Sequence, residues 1–148
     1  MTVKPEWIDH NNHLNMAYYN VLFDQCADEI FAQMGFGPDY IAARGMTTYT
    51  AEFHLCYVRE LHVDDPVRVS FQMLDMDEKR FHAYQEIHHQ DGWLAATAEG
   101  VTLHVDTSGP RVAVMPDDIL AKVRGVYDAH STLPRPERAG RSVGIRRR

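Results

Sequence analysis

The apolar residues Tyr19, Leu22, Phe23, Cys26, Ala27, Ile30, Phe31 and Met34 recur at three- and four-residue spacing, which predicts one long helix over Met16–Met34 with a broad buried stripe. Gly35 and the Gly37-Pro38 pair stop it. A possible helical turn, Tyr40–Arg44, follows, and then the period changes. Thr47–Arg59 is rich in Thr, Tyr, Phe and Val, and Pro66–Met76 alternates Val67, Val69, Phe71 and Met73 against Arg68, Ser70 and Gln72. Arg80–His89 and Trp93–Asp106 read as two more strands, divided by a Gln90-Asp91-Gly92 hairpin signal. A strand over Arg111–Met115 and a short helix over Asp117–Tyr127 complete the pattern, and residues 2–8 read as a short strand. One long helix followed by consecutive long strands must bury its stripe on a sheet, so the expected class is α+β, a helix layered on a mainly antiparallel sheet.

The chain of 148 residues suits a single core, assigned to residues 1–130. Residues 131–148 are rich in Arg and Pro, lack periodicity, and are expected to be disordered and dispensable for folding. The net charge of −6 conceals an asymmetry: from Pro134 onward six Arg face one Glu, which leaves −11 on the rest. An acidic body disfavours nucleic-acid binding. No apolar run is long enough to span a membrane, and the opening residues show no secretory leader. Cys26 and Cys56 read as buried thiols, so the expected compartment is the cytoplasm.

The chemistry concentrates in Trp7-Ile8-Asp9-His10-Asn11-Asn12-His13-Leu14-Asn15-Met16-Ala17-Tyr18-Tyr19. An acid sits in a tight polar turn immediately before the N-terminus of the long helix, where backbone amides lack intrahelical acceptors. A carboxylate beside free amide donors suits attack on an activated acyl group. A lone Asp before a helix is by default a cap, and His13 is as readily a turn residue as a proton carrier. Asp9, His10 and His13 lack a remote further ligand, so no metal is expected. Asp24 and Glu29 on the helix read as solvent-facing or structural.

The turn resembles the Asp-x-x-Gly-His-Val-Asn-Asn-x-x-Tyr signature of hotdog-fold acyl-CoA thioesterases of the 4-hydroxybenzoyl-CoA thioesterase type. Asp9 takes the acid position, His13-Leu14-Asn15 matches His-Val-Asn, and Tyr19 matches the Tyr. Asn12 replaces the Gly, and Met16 replaces the second Asn. Asn is the next best residue for a positive φ. The resemblance implies a curved antiparallel sheet wrapped around the long helix, over roughly residues 2–123. It implies Asp9 as nucleophile or general base, the Met16 N–H as carbonyl donor, and His13 and Asn15 shaping the turn. It further implies basic residues for CoA, for which Arg59, Lys79 and Arg80 are the candidates, and a homodimer or homotetramer with shared active sites. CoA enters as part of the substrate, and no cofactor is expected.

Ala51-Glu52-Phe53-His54-Leu55-Cys56-Tyr57, Lys79-Arg80-Phe81-His82 and Ala96-Thr97-Ala98-Glu99 with Leu103-His104-Val105-Asp106 are similar to the thioesterase domain appended to bacterial L-carnitine dehydrogenases. That kin group is associated with betainyl-CoA, whose trimethylammonium group calls for aromatic faces. Trp7, Tyr18, Tyr19, Phe53 and Tyr57 are the candidates, although each also suits the core. A fatty or aryl acyl-CoA substrate, a non-hydrolysing acyl- or CoA-binding module and a dehydratase are the alternatives. The dehydratase reading is disfavoured, since its differently spaced Asp/His motif is not found here.

Overall fold

The computed structural model describes residues 1–145. Its elements run α1 (Met16–Met34), α2 (Pro38–Arg44), β1 (Met46–Tyr57), β2 (Val67–Met76), β3 (Arg80–His89), β4 (Leu94–Asp106), β5 (Arg111–Val112) and α3 (Asp117–Ser131). The strands form one antiparallel sheet in the order β1-β4-β3-β2, with β5 adding to the end of β4. The α+β layering expected from the alternation of periods is the observed one. Among the described residues no helix is long and apolar enough to cross a membrane.

Three local readings are revised. Residues 2–8 form no strand: Pro5–Trp7 is a single 3-10 turn between isolated bridges, Thr2 to Pro66 and Ile8 to Leu14. Pro at the first position of that turn fixes φ and removes a donor that a ladder would have used. The expected strand after Gly109-Pro110 shrinks to Arg111–Val112, and α3 runs on to Ser131 instead of ending near Tyr127.

Helix α1 is the spine of the core. Asn15 caps it by accepting from Ala17 N–H at 3.0 Å, and Gly35 ends it in the left-handed conformation at φ 91°. Its first half buries Tyr19, Leu22 and Phe23 against Leu61, Val67, Ile87 and the Ala95-Ala96-Ala98 row. At its C-terminal end and just beyond, Met34, Phe36 and Tyr40 pack with Met73, Phe81, Met115, Ile119 and Val123, drawing α3 onto the same face. A buried polar link ties this second cluster together. His104 donates from Nδ1 to the Ala113 carbonyl at 2.9 Å, which leaves Nε2 to accept from Tyr40 Oη at 2.8 Å.

Gly100 is required by close approach. β1 bulges between Thr50 and Glu52 where it passes Gly100, and a Cβ there would lie 2.6 Å from the Glu52 carbonyl and 2.7 Å from the Phe53 ring.

The segment after α3, for which the sequence predicts disorder, crosses the sheet's other face. Pro134 O accepts from Gln72 Nε2 of β2 at 3.3 Å. Gly140 N–H reaches both Glu99 carboxylate oxygens of β4, at 3.0 and 2.7 Å, and His82 Nε2 of β3 pairs with the same carboxylate at 2.8 Å. Gln72, Tyr84 and Glu99 are register partners, so the segment lies across the strands along one row. Residues 146–148 fall outside the described residues. Truncation after Leu133 is therefore expected to lower the melting temperature by about 3 °C, from loss of roughly 1 kcal/mol of charge-assisted hydrogen bonding. Differential scanning calorimetry of the truncated chain against the full chain checks this, and an unchanged midpoint would mean the segment contributes nothing.

Candidate active site

Asp9 opens a turn that folds back on itself. Its N–H donates to the His13 carbonyl at 3.0 Å, its carbonyl accepts from Asn12 N–H at 3.0 Å, and its Oδ1 accepts from Asn11 N–H at 2.7 Å. Asn12, in the position that the resemblance gives to Gly, has φ 62°. The side chain of Asn tolerates that conformation better than other L-residues, so the turn survives the replacement. One oxygen of Asp9 is thus held by the turn, which orients the carboxyl group.

The turn is pinned to the helix and to the loop after β1. Asn15 N–H donates to the Trp7 carbonyl at 2.9 Å, and Leu14 N–H donates to the Leu61 carbonyl at 2.7 Å. The Tyr19 hydroxyl takes the Leu61 N–H at 3.2 Å and donates to the Arg59 carbonyl at 3.5 Å. Burial pushes its pKa above the ordinary tyrosine value, so it remains a neutral bridge between α1 and the loop. The Tyr57 hydroxyl donates to the Met16 carbonyl at 3.2 Å, and its ring meets Tyr19 edge-on at 5.2 Å. Met16 is the first helical residue, so its N–H has no intrahelical acceptor.

Together these contacts form an open cleft of about 330 Å³ lined by Asp9, His13, Met16, Tyr19, Tyr57 and Arg59 among others. Of the residues named from the sequence, those six meet in one place. Asn15 stands behind them as the helix cap. Arg59 places its guanidinium 4.1 Å over the Trp93 ring, which fixes a positive charge at the mouth.

Other expected residues stand elsewhere. Trp7 is buried in the core, stacked on Tyr18 at 5.5 Å with the Lys4 ammonium over its ring, and neither aromatic lines the cleft. Lys79 lies in the β2–β3 turn and Arg80 opens β3. Arg80 pairs with Leu103 of β4 while Tyr57 pairs with Ala96, a seven-residue offset worth about 24 Å of strand. Arg80 is moreover bound to Asp77 through Nε at 2.7 Å. Within one chain they do not reach the Asp9 cleft.

Phe53 lies in a second cavity of about 290 Å³ between α1 and the sheet, with Asp24, Asp28, Phe31, Phe71 and Gln85 among its walls. Asp24, read from the sequence as solvent-facing or structural, borders this cavity. Partial burial and the neighbouring Asp28 raise its carboxyl pKa above the usual range. Gln85 Oε1 is buried without a hydrogen-bond partner among the described residues. The sequence pointed to neither Asp28 nor Gln85, and Glu60 on the cleft was also missed. The only sequence signal for the pair of acids was the four-residue spacing that puts Asp24 and Asp28 on one helix face.

The thioesterase-like superfamily model matches residues 3–123. A betainyl-CoA thioesterase of Pseudomonas aeruginosa is 35% identical over 97% of this chain and 91% of its own length. An L-carnitine dehydrogenase/betainyl-CoA thioesterase of Rhizobium meliloti is 33% identical over 98% of this chain, which spans only 29% of that longer protein. Among solved structures, a hypothetical protein of Staphylococcus aureus in complex with CoA superposes with a TM-score of 0.92 at 28% identity, covering 99% of this chain and 92% of that one. The sheet wrapped on α1 is accordingly a hotdog fold, and the chain belongs to the thioesterase-like superfamily of thioester hydrolases.

Proposed function

We propose that this acyl-CoA thioesterase acts on a cationic acyl group, with betainyl-CoA as the lead substrate. The observation that carries the reading is the pair of aromatic rings, Tyr19 and Tyr57, that line the Asp9 cleft beside Met16. The betainyl nitrogen is only two bonds from the thioester carbon, so its partners must stand in the same cleft as the attacking group, and ring faces there offer a cation–π surface. The named activity of the Pseudomonas aeruginosa relative supports the same substrate.

In this reading the Met16 N–H polarises the thioester carbonyl where negative charge develops. Asp9 either adds to that carbon, giving an anhydride that water then hydrolyses, or removes a proton from the attacking water. Either way the C–S bond breaks, CoA departs as the thiolate and takes up a proton, and the acyl group leaves as the carboxylate. Thiolate is a good leaving group, so the scheme needs no cofactor. Arg59 meets the CoA end. The thiols Cys26 and Cys56 are unpaired, in keeping with a cytoplasmic setting.

A homodimer or homotetramer completes the site. β1 is a sheet edge of twelve residues that exposes Tyr49, Phe53 and Tyr57, and both cavities open along it. An unprotected edge of that length invites pairing with a second copy. Such pairing also offers a route for Lys79 and Arg80 to serve the neighbouring site.

Asp9→Asn keeps the size and the Asn11 contact but can neither attack nor accept a proton at neutral pH. Thiol release should fall on the order of a hundred- to ten-thousand-fold with an unchanged melting temperature. Turnover within a few-fold of the parent would remove Asp9 from the chemistry. A second comparison sets betainyl-CoA against its uncharged isostere, in which carbon replaces the ammonium nitrogen. A preference in kcat/KM of about tenfold for the cation is expected, and Tyr57→Leu should shrink it. Equal rates, or a fatty or aryl acyl-CoA as the best of a panel, would overturn the substrate assignment; binding without thiol release would make the chain a holding module. Finally, sedimentation velocity at micromolar concentration should show a dimer or tetramer, whereas a fully active monomer would exclude shared sites.

A further inference from the structure

His13, Glu60 and His62 bring one potential ligand atom each within 4.8 Å of one another, the one such cluster among the described residues that combines two imidazoles with a carboxylate. They come from two segments, the Asp9 turn and the loop after β1. The grouping suggested by sequence proximity, Asp9 with His10 and His13, is not a ligand cluster among the described residues. We propose that His13, Glu60 and His62 form a binding site for a divalent transition cation such as Zn²⁺, and that its occupancy closes the Asp9 cleft.

Four observations support this. First, the donor set of two imidazoles and one carboxylate is the one that borderline cations prefer, with positions left open for water. Second, the two segments are held in register by the Leu14 N–H to Leu61 carbonyl bond at 2.7 Å and by the Tyr19 hydroxyl, which bridges Leu61 and Arg59. These anchors flank Glu60 and His62, so the cation does not have to order the loop. Third, the rings of His13 and His62 already meet edge-on at 5.4 Å between centroids. Donors around tetrahedral zinc stand roughly 3.3 Å apart, given bonds near 2.0–2.1 Å, so side-chain rotation alone closes the remaining gap. Fourth, the His62 backbone N–H donates to Asp65 Oδ2 at 2.8 Å, which holds the segment that presents the imidazole.

The consequence for the enzyme follows from position. His13 and Glu60 both line the cleft that holds Asp9. A cation bound between them draws both side chains together at the mouth and sets positive charge beside the carboxylate that the proposed chemistry uses. Occupancy therefore opposes both substrate entry and the attack by Asp9.

Titration of the tag-free protein with Zn²⁺ by isothermal calorimetry, with Co²⁺ visible absorption as a second readout, tests the site without relying on turnover. One cation per chain is expected. His62→Ala and Glu60→Gln should each weaken binding by at least the about 10- to 100-fold that loss of a mere outer partner costs, while His10→Ala leaves it unchanged. In thiol-release assays Zn²⁺ should inhibit the parent protein, and His62→Ala, which keeps the basal rate, should resist it. No stoichiometric binding, binding that His62→Ala and Glu60→Gln leave intact, or inhibition that persists in His62→Ala would overturn the proposal. Because calorimetry reports binding in the absence of substrate, failure here is distinguishable from failure of the thioesterase chemistry.

Discussion

The hydrogen bond from Leu14 N–H to the Leu61 carbonyl, with the Tyr19 hydroxyl beside it, is the constraint on which the site depends. α1 and the loop after β1 are distant in sequence and are joined at this point. Leu61 itself is fully buried in the first core cluster, so the joint is anchored in packing as well as in polar contacts. A backbone pair in such a setting cannot break without leaving an unsatisfied donor and acceptor away from water, at a cost of about 1–3 kcal/mol each. That cost keeps the Asp9 turn rigid even though its own residues are half-buried or exposed. Rigidity is what preorganised acyl-transfer sites require, since small displacements of a nucleophile or an amide donor are expensive in rate.

The electrostatics of the two cavities differ in kind. The Asp9 cleft has a positive group fixed at its mouth, the Arg59 guanidinium held on Trp93, a carboxylate held by backbone amide contact, and Glu60 on its wall. The cavity beside α1 has paired carboxylates and an acceptor, Gln85 Oε1, with no hydrogen-bond partner among the described residues. The net acidity of the body therefore conceals a local division of labour that a whole-chain charge does not show.

The division between what could and could not be read from the sequence follows the range of the interactions. The period of α1 and its Asn15 and Gly35 boundaries are local properties, and so are the Asp91-Gly92 turn and the strand alternations. The Asp9 turn was legible because its hydrogen bonds close within a few residues. Trp7 and Tyr18 went to the core because stacking between the 3-10 turn and α1 is set in three dimensions, as is the offset that carries Lys79 and Arg80 away. The clustering of His13 with Glu60 and His62 depends on the same long-range joint at Leu61, and no spacing rule spans it. The tail was the hardest case, since its docking uses the Gly140 and Pro134 backbones and one carboxylate instead of any apolar repeat.

That last contact closes one face of the sheet to other molecules. Residues 134–143 run from Gln72 on β2 past Glu99 on β4 to the neighbourhood of Glu52 and His54 on β1, so the chain thatches the back of its own sheet. A surface roofed in this way is not a flat platform onto which a second sheet can stack. Any stacking of one copy on another is thereby steered away from this face, by a segment that contributes nothing to the apolar core.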